Sequence, residues 1–345
     1  MRSLFRVVKY SFLGVFFTGI LSVIQGCTER EGVLFFLLIF LLNFCSGPTD
    51  EIPATPVGVI AFTCSNEICT VSQNGGPVKT LTSTGGDTLT WSPDGKRIGY
   101  RCGPAICTVS SNGGAVTTVT SVVTTGPFPE WSPDGTLFAV SCGGNICTVS
   151  SAGGVPVSLT TALGTSDQLP DWAPDSSAIA FECSDDVCTV TTGGTTNNLT
   201  SAAGTDDGRP DWSPNGAQIA YNCGVHICVI NSAGGVVSNL TTGLGITGLD
   251  PAWSPDGKKI VFECNNQICV MPATGGSFTQ LTVDPALDDV DVPRWSSDGR
   301  FVAFFCETNS PLSSDDICIV AASGGLATNL SHDNSTGDDN PAWRP

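Results

Sequence analysis

The stretch DPAWSPDGKKIVFEC, residues 250–264, holds two runs of strand-forming residues on either side of a tight turn. Within the turn Ser254-Pro255-Asp256-Gly257, proline's fixed φ suits the second position of a type I turn. Glycine then supplies the positive φ of the bulge that completes a hairpin loop. One strand ends at Trp253, and the next, KIVFEC, mixes β-branched and aromatic residues up to Cys264.

The same unit recurs along the chain. All seven tryptophans occupy it, as Trp91, Trp131, Trp172, Trp212, Trp253, Trp295 and Trp343, at steps of 40, 41, 40, 41, 42 and 48 residues. Each unit reads as four short strands. Strand A ends in Trp, strand B ends in Cys, strand C begins Ile-Cys or Val-Cys, and a Gly-Gly pair turns C into D. A period near 40 with four strands per unit predicts an all-β chain, a seven-bladed β-propeller of four-stranded blades. The first strand, near residue 58, is a B strand, and the last, 341–343, is an A strand. The C-terminal strand A is therefore expected to join the N-terminal strands B–D and close the ring, leaving no open sheet edge.

The recurring P-x-W-S-P-D-G-K-x-I-A-F pattern resembles the WD-like repeat of TolB-type β-propellers. The resemblance covers about 57–345 and implies the propeller fold. TolB itself also has a small α/β domain before its propeller, which has no counterpart in the short stretch ahead of residue 57, so TolB's own partners are not implied. The propellers of prolyl-oligopeptidase-like peptidases use such repeats too, but their hydrolase domain has no counterpart here.

Seven cysteine pairs follow the same frame: Cys64/Cys69, Cys102/Cys107, Cys142/Cys147, Cys183/Cys188, Cys223/Cys228, Cys264/Cys269 and Cys306/Cys318. One member closes strand B and the other opens strand C. Residues directly opposed in a hairpin lie at a distance a disulfide spans, so each pair is expected to clamp its own B–C turn. Disulfides persist in oxidising compartments, which predicts a propeller outside the cytoplasm. Zinc would need four ligands converging from different blades, so no metal is expected.

The N-terminal residues fit export. Arg2, Arg6 and Lys9 precede an almost uncharged run, 11–26, and a second apolar run follows at 33–44. That layout is a secretory signal or membrane anchor over 1–45; the second run is shorter than the about 20 residues of a spanning helix. Cys27 and Cys45 each follow one of the runs and are the candidates for lipidation, a plain cleaved signal or an uncleaved anchor being the alternative. A proline-containing tether, 46–56, then leads to the propeller, 57–345. The tether and anchor give the only expected membrane contact.

The net charge of −18 lies in the propeller, where residues from 57 onward carry 28 acids against 10 Lys and Arg. No basic stripe is present for phosphate neutralisation, which excludes nucleic acid. The acids that cluster where strand D leads into the next strand A are Asp87, Asp167, Asp206, Asp207, Asp250, Asp288, Asp289, Asp291, Asp338 and Asp339. If they ring one mouth of the channel, their fields add and draw a cation or a basic segment. The aspartates of the SPDG turns, such as Asp94, Asp134, Asp175, Asp256 and Asp298, read as turn formers. The densest candidate for calcium is 284–293, and the seventh B–C loop, between Cys306 and Cys318, is longer than the rest. Asn198, Asn239, Asn329 and Asn334 match the glycosylation pattern, but three of them fall on the recurring end of strand D. The two histidines, His226 in a turn and His332 in a loop, have no nucleophile partner. The expectation is a non-catalytic scaffold without cofactor, binding an envelope protein or peptide. The alternatives are a carbohydrate- or cation-binding propeller, or a hydrolase at the channel mouth.

Overall fold

The structure is a computed structural model that describes residues 58–83, 85–121, 128–160, 167–201, 206–283, 287–308, 315–331 and 337–345. The signal, tether and lipidation expectations at Cys27 and Cys45, together with His332 and Asn334, lie outside the described residues. So does the centre of the long seventh B–C loop.

Seven four-stranded antiparallel sheets form, each with strand order A-B-C-D. Blades 2 to 7 are contiguous in sequence, with inner strands at Asp87–Trp91, Glu130–Trp131, Gln168–Trp172, Asp207–Trp212, Leu249–Trp253 and Leu287–Trp295. Blade 1 is composite. Its inner strand, Asp339–Trp343, pairs with Val59–Cys64, Ile60 facing Trp343 and Ala61 facing Ala342. The ring is closed by the chain's two ends, as its strand count requires.

The SPDG turns follow their chemistry. The Gly95 N–H donates to the Ser92 carbonyl at 2.8 Å, and Gly95 has φ 62°. The Ser92 hydroxyl donates to Asp94 at 2.7 Å, which also accepts from the Lys96 N–H. These bonds hold the Asp94 carboxyl below its ordinary range, and the same arrangement takes Asp256 down to about 2.

There is no single central core. Seven apolar clusters form, each spanning two adjacent blades, so the blades stack around the ring like staves. Strand B is buried on both faces and uses them unequally. Ile60 and Phe62 pack against blade 7, whereas Ala61 packs against blade 2. Large residues on one face and small ones on the other make successive blades interlock.

The disulfides form within each B–C hairpin, as Cys64–Cys69, Cys102–Cys107, Cys142–Cys147, Cys183–Cys188, Cys223–Cys228, Cys264–Cys269 and Cys306–Cys318, with Cα–Cα distances of 5.8–5.9 Å. One expectation is corrected for all seven pairs. The bonded cysteines are not directly opposed: Cys64 faces Glu67, and Cys69 faces Phe62. In the same way Cys107 faces Tyr100, Cys147 faces Val140 and Cys188 faces Phe181. Cys228 faces Tyr221, and Cys269 faces Phe262. Cys306 and Cys318 keep the offset, facing Asp316 and Phe304. Each bridge therefore runs diagonally across the ladder. Ser65 and Asn66 both have positive φ, so the two-residue loop of the first hairpin is of type I′. Such tight hairpins twist strongly, which shortens one diagonal between residues on the same face. The offset also sets the strand C sulfurs deeper than the turn itself. Cys69, Cys107, Cys147, Cys188, Cys228, Cys269 and Cys318 are all buried and belong to the clusters between blades. They are packing residues as well as clamps.

The close of strand D has its own bond. The hydroxyls of Thr82, Thr160, Thr200, Thr241, Thr282 and Ser331 accept a strand C backbone N–H at 2.9–3.1 Å. The side-chain oxygens of Asn198, Asn239 and Asn329 accept the N–H two residues on, closing Asx turns. Their place in the glycosylation pattern follows from this repeat. His226 opens strand C rather than sitting in a turn, its ring Nδ1 lying 3.2 Å from the Thr241 hydroxyl.

Candidate functional site: the charged central channel

The inner strands share one irregularity. Counting back from each Trp, the third residue before it lies in the left-handed region in six blades: Thr88, Leu169, Arg209, Asp250, Val292 and Asn340, with φ from 39° to 53°. The ladder slips at or beside that residue in each of these strands. This is a bulge, and it re-aims the side chains around it. Positive φ in the β-branched Thr88 and Val292 is unusual, and such backbone is found where a surrounding structure holds it for a purpose.

The bulge sorts the acids by position. The fifth residue before Trp turns into the protein: Asp167, Asp207 and Asp338 are all buried. Asp167 accepts the hydroxyl of Thr160, whose own oxygen takes the strand C N–H. The fourth residue is more open. Asp87 forms an ion pair with Arg101, Asp291 is half-buried and Asp339 is exposed. Asp206 is exposed ahead of its strand. Asp288 and Asp289 lie in an inner strand, but their side chains are outside the described residues. The acids picked out from the sequence thus separate into buried supports and channel-facing groups, rather than forming one ring at the mouth.

The residue immediately before Trp was passed over in the sequence, and it supplies the lower tier of the channel. A cavity of about 700 Å³ is lined by the inner strands of all seven blades. Six carboxylates, Glu130, Asp171, Asp211, Asp250, Asp291 and Asp339, face it against two guanidiniums, Arg209 and Arg294. Asp171 accepts the Trp212 N–H, and Asp211 the Trp253 N–H, each at 2.7 Å. Glu130 accepts the Thr90 hydroxyl at 3.2 Å. Each carboxylate therefore ties its blade to a neighbour.

These acids resist ionisation. Burial pushes Glu130 up to about 7, and the Thr90 hydroxyl and Arg294 only partly offset it. Burial raises Asp211 to about 6. Asp171 is held well above the usual range by burial and then by the charges of Asp211 and Glu130. Asp250 is pushed up to about 8 by burial and its hydrogen bond with Asp291, against the pull of Arg209, which it meets at 2.7 Å. Asp250, Glu263 and Asp291 each bring a carboxylate oxygen within 4.8 Å of the others. Within this trio Asp250 pairs with Arg209.

The tryptophans staple blades beneath the channel. Four of the seven indole N–H groups donate to the carbonyl of the residue before Trp in a neighbouring blade: Trp91 to Ala342, Trp172 to Glu130, Trp295 to Ala252 and Trp343 to Arg294, at 2.9–3.1 Å.

Fold and channel together define a seven-bladed β-propeller whose lumen is polar and mostly acidic. Residues 187–345 match the family model of the TolB beta propeller domain. TolB from Acinetobacter baumannii superposes with a TM-score of 0.54 at 21% identity, over 84% of this chain and 67% of that one. An oligogalacturonate lyase in complex with manganese gives 0.57 at 15% identity, over 81% of this chain and 85% of that one. At such identities the likeness is one of fold. No curated protein matches the sequence.

Proposed function

We propose that this chain is an exported, non-catalytic propeller of the cell envelope that receives a basic segment of a protein or peptide at its acidic channel. The observation that carries this reading is the excess of six carboxylates over two guanidiniums around one cavity. Where these acids are ionised, toward pH 8, the low-dielectric channel has one dominant sign of charge and concentrates the opposite charge at its mouth. Export is supported by the disulfide in every blade, since such bonds are rare in a reducing cytosol. The N-terminal 1–45 would hold it at a membrane. Against catalysis stands the use of the lumen carboxylates, Asp171 and Asp211 among them, as hydrogen-bonded ties between blades.

The test is binding of labelled oligolysine and oligoglutamate of equal length to the oxidised chain at low and high salt. Oligolysine should bind, weaken with salt, and weaken further in Asp291→Asn with Asp339→Asn. Equal binding of both peptides, or of neither, removes the proposal.

A further inference from the structure

The tier of residues just before each Trp is ordered by charge around the ring. From blade 1 to blade 7 it reads Ala342, Thr90, Glu130, Asp171, Asp211, Ala252, Arg294. The acids stand on three consecutive blades. In a sevenfold ring, blade 7 lies across the lumen from blades 3 and 4, so Arg294 faces Glu130 and Asp171 from the far wall. Its field reaches Glu130, Asp171 and Asp211, and also Asp250 on the adjoining blade 6. Yet Arg294 forms no ion pair among the described residues. It is exposed to the lumen, and its one side-chain hydrogen bond goes to the neighbouring Pro293 carbonyl at 3.0 Å.

Its surroundings leave it open. The flanking positions on blades 6 and 1 are Ala252 and Ala342, whose methyl groups cannot cover a guanidinium. A planar guanidinium fork matches a carboxylate by two parallel hydrogen bonds, and Arg294 lines the cavity without such a pair among the described residues. The acids opposite are also only half used. Asp171 and Asp211 each commit one oxygen to a backbone N–H, and the second makes no hydrogen bond among the described residues. Among the described residues the tier thus presents a cation without an ion pair on one wall and carboxylates with spare oxygens on the other, around a cavity of about 700 Å³.

We propose that this tier binds a ligand carrying a carboxylate and a basic group on one residue, the carboxy-terminal lysine or arginine of a peptide. The terminal carboxylate lies on Arg294, and the basic side chain reaches Glu130, Asp171 and Asp211. This rests on the reading of the channel as a site for basic segments, and adds the anion and the chain end. Any uniformly acidic channel would take an internal lysine as readily; the unpaired arginine is what favours a terminus.

The experiment uses short peptides that differ at the last residue, measured by calorimetry against the oxidised chain. A peptide ending in free lysine should bind about tenfold or more tightly than the same peptide amidated, since a charge-assisted pair is lost. Replacing the lysine by norleucine should cost a similar factor. In Arg294→Gln the amidated and free peptides should become equal, and in Asp171→Asn with Asp211→Asn the lysine and norleucine peptides should converge. Near-ultraviolet circular dichroism checks that each variant keeps the fold. Should oligolysine bind while amidation makes no difference, this inference falls and the broader reading stands. If no basic peptide binds, both fall. Free lysine competing as well as the peptide would place the site on the amino acid and overturn the peptide assignment.

Discussion

Asp211 and Glu130 are ordinary acids placed where burial makes their charge costly, with carboxyls raised to about 6 and about 7. The sign of the consequence follows from linkage. Between about pH 4 and pH 7 the folded chain binds protons at these groups that the unfolded chain has released, so stability falls as pH rises through that window. The turn aspartates act elsewhere. Asp256, lowered to about 2, contributes stability that is lost only as pH falls from about 4 toward 2. Binding of a basic peptide needs ionised acids, so its affinity rises over the same span in which stability declines. The expected outcome is a melting temperature lower at pH 8 than at pH 5 and a basic-peptide affinity higher at pH 8. Glu130→Gln with Asp211→Asn should flatten both profiles. Parallel changes in the two quantities, or profiles unaffected by the substitutions, would show that other groups govern the channel.

At the scale of the strand, the pairing of large and small faces carries a volume rule. Six B strands place Ala or Val at the small-face position, and blade 2 places Gly99 there. The reason lies in blade 3, where Phe138 replaces the Ile or Val of the other blades. A Cβ on Gly99 would sit 2.4 Å from Phe138 Cε1. Val261 and Val302 show the complementary adjustment, a larger residue facing a smaller one within one cluster. Gly99→Ala should therefore destabilise the chain by about 1–3 kcal/mol, and Phe138→Ile added to it should restore part of the loss. Additive losses in denaturant unfolding would refute the pairing. The clamps can be measured the same way. Replacing Cys64 and Cys69 together by Ala should cost about 2 kcal/mol, and Cys306 with Cys318 about 3 kcal/mol, because the second loop is longer. These strands were legible in the sequence because turn, Trp and Cys recur in register. The diagonal of the disulfides was not, since it depends on hairpin twist rather than on spacing. A spacing of five, as in Cys102 to Cys107, is compatible with either geometry until the loop is known to hold two residues. Nor was the lumen legible. Acid-rich connections drew attention to Asp167, Asp207 and Asp338, which the bulge before each Trp leaves buried. The charged column one residue before Trp was visible but carried no mark of its direction until the bulge was seen.

At the scale of the molecule, a ring built from interfaces between neighbours has no interior to fall back on when one interface fails. Its closure depends on residues 339–345. Asp339–Trp343 supplies the inner strand of blade 1, and the Arg344 N–H donates to the Val59 carbonyl at 2.9 Å. The same segment reaches both adjoining blades. The Ala342 carbonyl accepts the Trp91 indole N–H, and the Trp343 indole donates to the Arg294 carbonyl. The Arg344 guanidinium stands 5.9 Å from the Trp91 ring centre. Removing the segment takes a tryptophan's packing together with these hydrogen bonds. It also exposes the inner edge of Val59–Cys64, an unpaired strand able to recruit another chain. Trp343 is only half-buried, so its packing and the lost hydrogen bonds together cost about 2–4 kcal/mol, and a chain ending at 338 should melt lower by about 5 °C or more. It should also self-associate. A synthetic peptide of residues 338–345, DDNPAWRP, added in excess should bind in trans, raise the melting temperature and suppress the association. A truncated chain that melted within a degree or two of the full one, with no response to the peptide, would mean that the ring is held shut by the clusters between blades and not by its last strand.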